Sequence, residues 1–346
     1  MRHPSPFLVY LSLALLGLLA PSCGGESGPI DGAKAYSHVE KIVSFAARPA
    51  GSAKLKETAS YLKAQIEGLE LPYREQVWEE SVQVYGKATT IEFRNVWTEI
   101  PGDDPKDGPI LLLAAHYDTK LASGHPEASH NIEFVGAIDG GGASGLLLEL
   151  ARVLRDRKNS MNIWIVWFDG EECLEWDWVD EKALFGSRYF ARTMNADKTL
   201  FPKGLSARMR AMVLLDLIGS RNIKIDRDTL SHSELLKIFE ATADEMGEKS
   251  RMFRWESPMT DDHKPFRNYG VKVIDLIDFR FRVPGDQPRA LPRGGTEPAP
   301  PEGLYTAWWH TSKDNLDQLE ADSLAFVGNL VWRALPRIEQ QFYGSK

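Results

Sequence analysis

Residues 163–172 read Ile163-Trp-Ile-Val-Trp-Phe168-Asp169-Gly170-Glu171-Glu172. A run of β-branched and aromatic residues ends abruptly in an aspartate, a glycine and two adjacent glutamates. The run predicts a buried strand, with Gly170 as the turn at its carboxyl end. Open α/β sheets bind ligands beyond the carboxyl ends of their strands. Two carboxylates there repel each other and lose hydration unless a cation or a proton relieves them. Adjacent glutamates can divide the labour, one holding a metal and the other left free as acid or base. Most Glu-Glu pairs are solvated loops, so the reading depends on whether other strand ends finish in the same way.

They do. Ile110–Ala115 is a continuous apolar run followed by His116-Tyr-Asp118-Thr119, and Met212–Leu215 runs into Asp216. Asp139 precedes Gly140-Gly-Gly-Ala-Ser144, which opens an amphipathic helix over Leu146–Leu154. His263 and His310 follow later. Singly these are weak signals, since a strand-end histidine is commonly structural and an aspartate before glycines commonly makes a turn. Together they supply the imidazole and carboxylate set that zinc prefers. Asp118, two residues beyond His116, would share its strand face and could orient that imidazole. His263 suits a buttress better than a ligand.

The remaining pattern predicts two helices within Ala33–Leu69, broken near Arg48-Pro-Ala-Gly51, and a half-buried strand over Thr89–Ile100. Further helices are expected at Ser187–Met194, Glu234–Met246 and Leu316–Leu335, and a strand at Val271–Ile277. Apolar strands alternating with helices imply an α/β/α sandwich around a mostly parallel sheet. Trp164 and Trp167, inside the central strand, read as core. The Pro/Gly-rich stretch Pro284–Gly303 reads as a loop over a site. No interdomain linker is visible, and 346 residues can form one large domain. A net charge of −8 argues against nucleic-acid binding through a basic face.

Arg2 and His3, the apolar run Phe7–Ala20 and then Pro21-Ser22-Cys23 read as an export signal, too short to span a membrane comfortably. Ser22-Cys23-Gly24-Gly25 is similar to a bacterial lipoprotein cleavage site, from which Ala20 and Pro21 depart. The expected division is a signal over residues 1–22, a flexible linker over 23–35 and a single domain over 36–346. The product would be a periplasmic or cell-envelope lipoprotein anchored at Cys23, or a secreted protein. The chain has two cysteines, and lipidation of Cys23 would leave Cys173 without a disulfide partner. Cys173 reads as a small buried residue.

From Leu111 to Asn315 the chain resembles the zinc aminopeptidases of the M28 type and their relatives, the glutaminyl-peptide cyclotransferases. The resemblance is carried by His116-Tyr-Asp-Thr, Asp139, Phe168-Asp-Gly-Glu-Glu172, Leu184-Phe-Gly-Ser187, Leu215-Asp-Leu-Ile-Gly219, Asp261-Asp-His-Lys-Pro-Phe266 and Trp309-His-Thr311. It implies an α/β/α fold with a mostly parallel, mixed central sheet. The peptidases hold two zincs, and all five ligand positions are present here: His116, Asp139, Glu172, Asp216 and His310. Trp309 before His310, Asp261 in place of the peptidases' serine, and the insertion Trp176-Asp-Trp178 favour the cyclase branch.

In that branch the resemblance implies one zinc, on Asp139, Glu172 and His310, with His116 and Asp216 off the metal. It makes Glu171 the general base and acid, joined by Asp261 and Asp216 in a partly protonated carboxylate network. Trp309 would line the pocket. Trp178 would form its second wall, with Trp176 the alternative because the insertion does not align uniquely. Helix capping by Asp261 is the competing reading for that residue. The substrate would be a peptide or protein with amino-terminal glutamine, converted to pyroglutamate with release of ammonia. The alternative is a secreted di-zinc aminopeptidase with His116 and Asp216 on the second metal. Animal cyclases carry a cysteine pair near these motifs. Here Ala115 and, by the simplest alignment, Ser144 stand there.

Overall fold

Three strands, buried at every residue except the partly exposed Arg210, form the centre of the computed structural model, which describes residue 1, residues 28–279 and residues 308–344. The export signal, Cys23 and the Pro284–Gly303 stretch lie outside the described residues. In chain order the elements are α1 (Gly32–Val43), α2 (Ala53–Gly68), β1 (Tyr73–Val84), β2 (Lys87–Ile100), β3 (Ile110–His116), α3 (Ala143–Leu154) and β4 (Asn162–Phe168). Then come α4 (Phe185–Ala196), β5 (Met209–Asp216), β6 (Ile225–Asp228), α5 (Ser233–Glu245), β7 (Met252–Ser257), α6 (His263–Asn268), β8 (Lys272–Ile277) and α7 (Ala321–Phe342).

The main sheet has the order β1-β2-β4-β3-β5-β8. β4, β3, β5 and β8 run parallel, while β1 and β2 join antiparallel at one edge. Alternation along the strands sorts the core into two layers. Leu111, Leu113, Ala115, Ile163, Ile165 and Trp167 face the apolar sides of α1, α2, α3, α5 and α7. Leu112, Ala114, Trp164, Val166 and Phe168 face Phe190 and Met194 of α4 and Phe266 of α6. The expected α/β/α sandwich with a mostly parallel, mixed sheet is therefore the observed architecture, and Trp164 and Trp167 are core residues.

Several boundaries differ from expectation for local reasons. The stretch expected as linker is already part of the fold by Ile30, which is buried, and Asp31 caps α1 by accepting the N–H groups of Ala33 and Lys34. Ser52 caps α2 through Leu55. The last helix starts later and runs longer than Leu316–Leu335. Asn315 first caps a single 3₁₀ turn at Leu316–Gln318, and α7 then continues through the exposed Pro336 to Phe342.

Candidate active site

β3, β4 and β5 are adjacent and parallel, so their carboxyl ends bring His116, the Asp169–Glu172 turn and Asp216 together. Gly170 takes φ +66°, and a Cβ there would lie 2.6 Å from the Phe93 ring, so only glycine makes this turn. Asp118 holds the turn from the other side. Its two oxygens accept the backbone N–H groups of Glu171 and Glu172, at 3.2 and 3.3 Å. Asp118 is also 3.4 Å from His116 Nδ1, but that nitrogen makes no hydrogen bond among the described residues. Its main structural task is to clamp the glutamate pair, which the sequence reading did not foresee.

Asp139 sits in an irregular turn, Ala137–Gly142, between Gly136 and Gly140, both with positive φ. A Cβ on Gly140 would fall 2.7 Å from the Asp118 carbonyl. Asp139 faces two ligand groups at once. Its Oδ1 is 3.2 Å from His116 Nε2, which is itself 3.1 Å from Asp216 Oδ1. Its Oδ2 is 3.5 Å from His310 Nε2, which is 3.1 Å from Glu172 Oε1. In each group, His116–Asp139–Asp216 and Asp139–Glu172–His310, the potential ligand atoms lie within 4.8 Å of one another. His310 takes φ +51°, a conformation rare outside glycine and often found at functional positions. Its ring stacks on Trp309 at 3.8 Å between centroids.

The charges and burial of the second group suit a cation. Burial and then the nearby Glu172 charge push Asp139 up to about 6. Burial opposes the Glu172 charge as well, yet His310 and Lys120 prevail and bring it down to about 2. Asp139 Oδ2 is buried and makes no hydrogen bond among the described residues. Two carboxylates and an imidazole converging on one point, one oxygen otherwise unsatisfied, match the donor set of a zinc site with an open fourth position.

One cavity of about 340 Å³ opens over these groups. Glu171, Asp216 and Asp261 line it beside the ligand set, and Trp176, Trp178 and Trp309 form its aromatic walls. Burial holds both Glu171 and Asp261 well above the ordinary carboxylate range, and neighbouring carboxylates add to the effect. Asp261 does not cap α6 through its side chain; Oδ1 accepts the N–H of Asp262 at 2.5 Å. Trp178 is 42% exposed, its Nε1 donating to Asp180. Trp176 sits deeper, stacked on His130 and 6.1 Å from the His310 ring. Both tryptophans of the insertion thus reach the cavity, and Trp176 is the one beside His310. Lys120, missed in the sequence, is buried with Nζ 3.8 Å from Glu172 Oε2 and donating to the Cys173 carbonyl. His263 is buried beneath the cavity, 3.3 Å from Asp228 and 3.8 Å from Asp275.

A strand-end carboxylate and histidine site on a mixed α/β/α sheet is the arrangement of a metal-dependent exopeptidase-type fold. The chain belongs to peptidase family M28, whose profile matches residues 95–335. It is similar to the glutaminyl-peptide cyclotransferase of Drosophila melanogaster, 23% identical over 308 residues that span 81% of this chain and 75% of the relative. A crystal structure of an Acidobacteriales bacterium glutaminyl cyclase superposes with a TM-score of 0.72 at 28% identity, covering 93% of this chain and 99% of that one. A zinc-dependent exopeptidase from Parabacteroides distasonis shares the fold, with a TM-score of 0.71 at 22% identity over 92% of this chain and 100% of its own. Among the described residues no helix is long and apolar enough to cross a membrane.

Proposed function

We propose that this protein is a zinc-dependent glutaminyl-peptide cyclotransferase. The observation that carries the reading is a single cavity in which Glu171, Asp216, Asp261 and the aromatic walls adjoin the Asp139–Glu172–His310 set. The similarity to glutaminyl cyclases supports it.

In the reaction the α-amine of an amino-terminal glutamine attacks its own side-chain amide carbon. A C–N bond forms, the bond to the amide nitrogen breaks, and ammonia leaves. The attack is intramolecular, so positioning replaces the capture of a second molecule. One Zn²⁺ on Asp139, Glu172 and His310 would supply a Lewis acid for the γ-carbonyl. Glu171 accepts the proton lost by the amine and returns it to the departing nitrogen. Asp261 and Asp216 hold that nitrogen and keep the proton within the carboxylate network. Trp309 and Trp176 enclose the short side chain and exclude water, with Trp178 at the rim.

Export through the residue 1–22 signal, anchoring at Cys23, and a single catalytic domain over the remaining chain complete the proposal, with peptide and protein amino termini as substrates. A second reading, a di-zinc aminopeptidase, is favoured by the His116–Asp139–Asp216 group and would place the second metal there. Protein lacking residues 1–23, incubated with a Gln-initiated and a Leu-initiated dipeptide, separates the two by mass spectrometry. Ammonia loss from the first with the second intact is expected. Hydrolysis of the Leu dipeptide without ring closure would sink the cyclase reading.

A further inference from the structure

Asp139 lies in a kinked π-type turn, with φ −83° and ψ 100°, outside helical values, at Asp139 itself. Bonds to another segment add to that local geometry in fixing its position. Asp314 supplies them: Oδ1 accepts the Ile138 N–H at 2.7 Å and Oδ2 accepts the Asp139 N–H at 3.0 Å. Asp314 is completely buried, and its own N–H donates to the Thr311 carbonyl at 3.1 Å, within the turn that carries His310. From the opposite side Arg48, also completely buried, donates to the carbonyls of Tyr117, Val135 and Gly136 at 2.9, 2.6 and 2.8 Å. One guanidinium thus joins the end of β3 to the segment leading into Asp139. Neither Asp314 nor Arg48 itself lines the cavity.

We propose that Asp314 is a positioning residue that sets the Asp139 carboxylate relative to His310, with Arg48 bracing the same turn from behind. The inference rests on the reading of Asp139, Glu172 and His310 as zinc ligands. A carboxylate can satisfy both N–H groups, whereas asparagine offers one oxygen and points an N–H at the other donor. Asp139 would then rotate out of line with His310 while its own charge is untouched.

The test measures zinc affinity by competition with a chromophoric chelator, and the visible absorption spectrum of the Co²⁺-loaded protein, for wild type and Asp314→Asn. Glu339→Gln is the control for general loss of stability. Glu339 is buried and pairs with Arg157 through both oxygens, at 2.9 and 2.7 Å, and neither it nor its partners Arg157 and Ser160 line the cavity. The expected result is roughly 10- to 100-fold weaker zinc binding and an altered Co²⁺ spectrum in Asp314→Asn, with wild-type values in Glu339→Gln. If Asp314→Asn does not fold, Asp314→Ser, which keeps an acceptor without a second donor, is read in the same way. Wild-type affinity and an unchanged spectrum in a folded Asp314 variant would overturn the inference. Zinc binding that survives Asp139→Ala in the otherwise wild-type protein would overturn the ligand reading instead, and this inference with it.

Discussion

Nε2 of His116 lies 3.1 Å from Oδ1 of Asp216, across the carboxyl ends of two paired strands. Burial works against a charged imidazole, but Asp118, Asp139 and Asp216 prevail and hold His116 well above the ordinary histidine range. On the one-zinc reading these carboxylates hold the His116 imidazole by charge and hydrogen bonding, with no metal on it. One zinc per chain is expected, retained in His116→Ala and lost in His310→Ala, as metal analysis of dialysed protein would record. Two zincs in the wild type, one of them lost in His116→Ala, would favour the aminopeptidase reading.

Asp118 accepts both N–H groups of the glutamate turn, so Asp118→Asn should disturb a ligand and the proposed base together. Leaving a buried N–H unsatisfied costs about 1–3 kcal/mol. A lower melting temperature and a drop in kcat are both expected. Unchanged kcat in a destabilised Asp118→Asn would show that the clamp serves stability alone.

The aromatic walls are predicted to contribute unequally. Trp309 and Trp176 border His310, while Trp178 is 42% exposed and turned to Asp180. Trp309→Ala and Trp176→Ala should each raise KM about tenfold or more, in line with an aromatic contact of about 1–2 kcal/mol. Trp178→Ala should raise it less. Steady-state kinetics on a Gln-initiated dipeptide tests the ranking, and a larger effect at Trp178 would contradict it.

At acid pH the wall beneath the cavity should weaken first. Burial works to raise Asp228, but His263 and the N–H groups of Leu230 and Met259 outweigh it and hold the carboxyl below its ordinary value of 3.8. A depressed carboxylate contributes stability that is present above the unfolded value and is lost as pH falls through the folded one. Urea midpoints should therefore decline below about pH 4, and Asp228→Asn should flatten that decline while lowering the neutral-pH midpoint. A wild-type midpoint that stays level through that range would refute the assignment.

The parts of the fold legible in the sequence are those where one physical effect dominates. β3, β4 and β5 are buried on both faces, so each reads as an unbroken apolar run, and the polar residue ending each run marks the site. β1 escaped because Tyr73–Val84 is an edge strand, half of its residues exposed, with charges breaking any apolar period strong enough to announce it. The short β6 and β7 escaped for want of length. α7 runs on past Leu335 through Pro336, a residue that ordinarily ends a helix, and Ile338 and Phe342 beyond it are buried. Arg48, Lys120 and Asp314 were invisible as site residues. Their partners lie far away in sequence, and an isolated charged residue shows no local sign of burial.

The most direct test is the identity of the product from one substrate, a Gln-initiated peptide, with wild type and Glu171→Gln compared at equal zinc content. Ammonia and the ring-closed peptide are the expected products of the wild type. In Glu171→Gln a rate lower by about 10²-fold or more is expected, with zinc retained. Free glutamine and a peptide shortened by one residue would contradict the cyclase reading.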